Sequence, residues 1–149
     1  MSTIGWEELQ EIVEVVWMTV LDLPVEEGFE PDLAPCNTVT AKINISGAWH
    51  GHVLVKASEQ FLSCAAALMF STAEGEVNDT DRADTLTELT NMLGGTVKCL
   101  LPETCDLSLP VVVQEEPDVS DDSWAYFLCG DHPLAVAVVE AIGDARQAA

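Results

Sequence analysis

Asp84, Glu88, Asn91, Gly95 and Lys98 recur at offsets of +4, +7, +11 and +14, the spacing of residues that share one side of an α-helix. Leu86, Leu89, Leu93, Val97 and Leu100 recur at +3, +7, +11 and +14 and form the opposite, apolar stripe. The pattern predicts a helix held by its apolar side, with an acid and an amide projecting side by side from the other. Two residue choices set this face apart from an ordinary wet one. Asn91 is a mediocre helix former where lysine, glutamate or glutamine would serve better. Gly94 and Gly95 each cost about 1 kcal/mol against alanine in a helix interior. That cost makes sense where a partner or another backbone must come close. The plainer alternative is a solvated helix face whose glycines serve helix–helix packing.

Other constellations carry less. His50 and His52 would share one face of a strand, but no third ligand follows at metal-site spacing, so no metal is expected. Asp118, Ser120 and Asp122 begin like a calcium loop and lack its glycine and closing glutamate. Cys99 and Cys105 bracket a turn with no general base beside them and read as buried or inert thiols. No nucleophile elbow, Walker A loop or dinucleotide fingerprint occurs.

The 149 residues fit a single domain spanning 1–149, with 143–149 a frayed tail. Twenty-six acids against 5 Lys and Arg give a net charge of −21. Such a chain is unsuited to nucleic acid and to anionic membrane surfaces. Five scattered cysteines, no C-x-x-C pair and no basic-then-apolar leader fit reduced thiols and a cytoplasmic location.

The elements that must position the stripe follow from periodicity. A first helix carries Trp6, Leu9, Val13, Val16, Trp17 and Val20, with Ser2 or Thr3 as cap and Pro24 as its stop. Residues 25–37 read as a loop or irregular edge segment, and 38–46 with 49–57 as a β-hairpin. Ser58 caps a second helix over 59–70, apolar almost all round and so expected to be deeply buried. Asp79 or Thr80 caps the third helix, which Pro102 ends. Strands follow at 107–114, 124–129 and 134–142, with an acidic loop between the first two and a Gly130-Asp131 turn. The order α-ββ-α-α-βββ predicts an α+β fold. Its two pseudo-two-fold halves share one antiparallel sheet packed by helices.

The run Asp84-x-x-x-Glu88-x-x-Asn91-Met92-Leu93-Gly94-Gly95 resembles the D/S-x-x-x-E-x-x-N signature of the CheC/CheX/FliY chemotaxis phosphatase family. The element order resembles that of its CheX members. The resemblance implies that Glu88 docks on a lysine of a phosphorylated CheY-like response regulator. Asn91 then orients a water for in-line attack on the aspartyl phosphate. Asp84, Gly95 and Lys98 would be partner-binding. It implies no cofactor of the chain's own, the Mg²⁺ belonging to the regulator, and a homodimer through sheet edges, for which 134–142 would be suitable. The first helix has Glu11 and Glu14 where a second site would carry Glu and Asn, so one active site per chain is expected. A non-catalytic regulator-binding or dimerisation module of the same fold is the alternative.

Overall fold

The computed structural model describes residues 4–101, 104–115, 117, 119 and 123–140. Its elements are α1 (Trp6–Leu21), β1 (Glu26–Glu27), α2 (Glu30–Leu33), β2 (Thr38–Gly47), β3 (Gly51–Ser58), α3 (Glu59–Phe70), α4 (Asp79–Leu100), β4 (Cys105–Leu107), β5 (Val111–Val113), β6 (Trp124–Cys129) and β7 (His132–Glu140). One seven-stranded sheet runs β1-β6-β7-β3-β2-β4, with β5 also on β2. Each ladder is antiparallel. The hairpins β2–β3 and β6–β7 meet at the centre, where β3 and β7 pair from Gly51↔Glu140 to Ala57↔Leu134. This arrangement has the expected pseudo-two-fold form, each half supplying one helix, α1 or α4, and one central hairpin.

Strand alternation decides which side the helices take. Ala41, Ile43 and Ile45 of β2, Val53, Val55 and Ala57 of β3, and Leu134 and Val136 of β7 are buried in one cluster with Val13 and Trp17 of α1, Phe61 of α3 and Leu89 of α4. Trp17 stacks on Phe61 at 5.9 Å, and Trp6 stacks on Phe127 at 5.6 Å, which ties α1 to α3 and to β6.

Several sequence expectations are corrected. α1 ends at Leu21 on a left-handed Asp22 (φ 57°), ahead of Pro24, and starts after Gly5. Ser2 and Thr3, the expected caps, lie outside the described residues. Segment 25–37 is the edge segment that one of its two expected forms described: β1 pairs with β6 at the border of the sheet, and the short helix α2 follows. α3 is not buried all round. Phe61, Leu62, Ala65 and Ala66 face inward, but Leu68 and Phe70 stay 50% and 44% exposed.

The expected strand 107–114 is two strands, β4 and β5. Leu107 pairs with Ile45 and Val111 with Lys42, so Ser108, Leu109 and Pro110 stand opposite only Asn44 and Ile43. That surplus residue makes a bulge. The strand expected over 134–142 is β7, flanked by β3 and β6. Residues 134–137 are paired on both sides and offer no free edge to a second copy, while 138–140 pair with β3 alone. Residues 118, 120 and 122, residues 141–142 and the tail 143–149 lie outside the described residues.

Candidate functional site

α4 is set by its cap and its buried face. Asn78 is the cap, rather than Asp79 or Thr80: its Oδ1 accepts from the Asp81 N–H at 2.8 Å, and the Asp81 carboxylate accepts from the Asn78 N–H at 3.2 Å. Asp79 and Asp81 in the first turn suit the positive end of the helix dipole. Arg82 pairs with Asp79 and donates to Ser63 Oγ at 3.1 Å, which ties the start of α4 to α3. Thr87, Thr90 and Thr96 turn their hydroxyls back to the carbonyls of Asp84, Leu86 and Met92, so they do not compete with the outward face.

Leu86, Leu89, Leu93 and Val97 are fully buried, as the stripe predicts; Leu100 departs from it and is 46% exposed near the helix end. Asp84, Glu88 and Asn91 are exposed, and Gly95 and Lys98 half-exposed. The structure therefore brings all five expected residues onto one outward stripe. Among the described residues, neither Glu88 nor Asn91 has a hydrogen-bond or ion-pair partner. The acid and the amide face solvent from a rigid rod whose other side is core.

The two adjacent glycines differ. A Cβ on Gly94 would lie 2.8 Å from Ile43 Cγ2, so helix and sheet are in contact there. Among the described residues, a Cβ on Gly95 would meet no atom within 4 Å. α1 carries a parallel stripe whose full extent the sequence reading missed. Glu7, Glu11, Glu14 and Met18 repeat the offsets of Asp84, Glu88, Asn91 and Gly95, and all four are exposed.

The remaining candidates stay apart from this face. His52 lies on β3, and His50 precedes the strand. Among the described residues, no group of three or more His, Cys, Asp or Glu is placed to hold a metal ion. Cys105 is buried, with its thiol 3.9 Å from the Trp49 carbonyl, whereas Cys99 is exposed. Burial, and then the nearby Cys64 thiol, push the Cys129 thiol up to about 11. Burial and the charge of Glu74 raise Cys64 as well. Raised thiols are poor nucleophiles at neutral pH. A cavity of about 340 Å³ on the far side of the sheet is lined by Cys36, Lys56, Trp124 and Tyr126. Lys56 Nζ sits 4.8 Å from the Trp124 ring centroid. The α4 stripe, by contrast, is an open convex face, a shape suited to another macromolecule rather than to an enclosed small ligand. No helix among the described residues is long and apolar enough to cross a membrane.

These features define an α+β protein with an antiparallel sheet, the long helices α1, α3 and α4 on one face, and an acid–amide pair displayed on the outer side of α4. The architecture is shared by chemotaxis proteins of known structure. CheX from Vibrio vulnificus superposes with a TM-score of 0.74 at 17% identity, covering 94% of this chain and 99% of that one. A CheC-like superfamily protein from Shewanella sp. PV-4 gives 0.70 at 18% identity, covering 89% and 94%. CheX in the CheX–CheY–BeF₃–Mg²⁺ complex from Borrelia burgdorferi gives 0.67 at 16% identity, covering 92% and 98%. No curated protein matches the sequence. The family described as Chemotaxis phosphatase CheX matches residues 39–129, more than half of the chain. The chain belongs to that family.

Proposed function

We propose that this protein accelerates hydrolysis of the aspartyl phosphate on a CheY-like response regulator. The observation that carries the reading is the outward pair on α4: Glu88 and Asn91 are both exposed, on a helix whose opposite face is fully buried. Glu88 docks on a cationic side chain of the regulator, and the Asn91 amide enters the regulator's site and orients a water. The water oxygen attacks phosphorus as the bond to the aspartyl oxygen breaks. Inorganic phosphate and a free aspartate carboxylate result, and one proton is released. Such a transfer asks the helper for positioning more than for covalent chemistry. The regulator's own Mg²⁺ supplies charge neutralisation at the phosphoryl group. The relative from Borrelia burgdorferi, seen with CheY, BeF₃ and Mg²⁺, supports a regulator as the partner.

Asp84, Gly95 and Lys98 extend the contact along the same stripe. α1 lacks the chemistry, because Glu14 stands where Asn91 stands in α4 and a carboxylate there would repel a phosphoryl group. The reading places the protein in the cytoplasm with its substrate. Timed phosphate release from a phosphorylated regulator tests it: the wild type accelerates release and Asn91→Ala does not. Wild-type rates in that variant, or tight binding by the wild type without acceleration, refute the catalytic assignment.

A further inference from the structure

Among the described residues, nothing in the fold requires Gly95 to be glycine. It lies inside α4, its φ is not positive, and a Cβ there would meet nothing within 4 Å among the described residues. Gly94 is the internal control, because Ile43 occupies the space its side chain would need. In a helix interior only proline is less favourable than glycine, so the empty position weakens α4 with no compensating contact among the described residues. It lies one turn beyond Asn91 on the same stripe. α1 gives a second comparison. Its stripe has Glu14 in the place of Asn91 and Met18, 48% exposed, in the place of Gly95. The helix that lacks the amide also lacks the gap.

We infer that Gly95 is a clearance for the partner. The rim of the regulator's phosphoaspartate pocket rests on the α4 backbone at this point. This inference rests on the phosphatase reading above. Asparagine has a short side chain, so its amide can enter a pocket only if the pocket's rim lies flush against the helix that carries it. On the C-terminal side of Asn91 the residue beneath that rim is Gly95. The occupant is therefore a backbone segment bordering the phosphoaspartate, in van der Waals contact with the Gly95 α-carbon. Gly95 is a positioning residue: it touches neither the water nor the phosphoryl group and sets how closely the two proteins approach.

The test uses Gly95→Ala and Gly95→Gln in the full chain, with Asn91→Ala as control. The measurements are thermal melting, binding to beryllofluoride-activated regulator, and phosphate release. Gly95→Ala is expected to melt about 2–4 °C above the wild type. Phosphate release and binding are expected to fall with side-chain size, with Gly95→Gln losing about tenfold or more. A lower melting temperature for Gly95→Ala would mean the fold itself needs the glycine and would overturn the inference. Wild-type binding and turnover in Gly95→Gln, with Asn91→Ala inactive, would overturn the clearance and leave the phosphatase reading intact. Full activity in Asn91→Ala would remove that reading, and the clearance with it.

Discussion

The branched methyl of Ile43 lies against the α-carbon of Gly94, in the space that any side chain there would claim. That methyl hangs directly on a Cβ in a fully buried strand residue, so it cannot swing aside cheaply. Gly94→Ala should therefore destabilise the fold by about 1–3 kcal/mol through overpacking. Denaturant melts check this, and a double-mutant cycle with Ile43→Ala should show strong coupling, because the second change removes the clashing methyl.

Asn91→Ala should lower regulator-dependent phosphate release about a hundredfold or more while leaving the melting temperature within a few degrees of wild type, since the residue is exposed. Glu88→Lys should act differently. It reverses a docking charge, so the loss should appear chiefly as weaker binding to the activated regulator. Single-turnover rates at saturating protein separate the two effects.

The proposed contact between Glu88 and a cationic side chain of the regulator should make association sensitive to salt. The Debye length is about 10 Å at 0.1 M ionic strength and about 3 Å at 1 M. Raising salt should lower kcat/KM and leave kcat at saturation little changed. Steady-state kinetics from low to high salt check this; a flat profile argues against Glu88 as a charge contact.

Cys129 gives a pH signature unrelated to activity. Burial first, and Cys64 second, raise its thiol from the ordinary 9.0 to about 11. Between those values the folded chain keeps a proton that the unfolded chain has lost, so stability is intact below pH 9 and falls as pH rises towards 11. Urea melts across that range should show the slope, and Cys129→Ala should flatten it.

Much of α4 is legible because its two stripes obey one period. Apolar residues at that spacing can only face the core, which sends Glu88 and Asn91 outward. What the sequence hides is nonlocal. Asn78, Asp79 and Thr80 are all competent or near-competent caps, and only the extended backbone at Asn78 selects among them. Residues 60–73 contain no charge, so nothing in α3 marks which apolar side is left to solvent. Strand order is decided by pairings far apart in the chain, which is how β7 became central rather than an edge. Gly94 and Gly95 look equivalent in sequence, and only the position of Ile43 separates them.

One border open to a homodimer built through the sheet is the side of β2 that carries β4 and β5, where Leu109 and Val111 are 84% and 51% exposed. Light scattering should give a dimer mass for the wild type and a monomer for Val111→Asp. A wild-type monomer would count against that assembly and leave the α4 assignment standing.

The bulge at residues 108–110 also governs how the sheet meets foreign strands. An incoming chain would find three residues of ladder, then Pro110 with no N–H to give, then three more. The opposite border, β1, is two residues long. Among the described residues, neither border presents the long, regular strand that fibril growth requires. A concentrated solution of this acidic protein should therefore resist seeding, with its borders too short and too broken to copy.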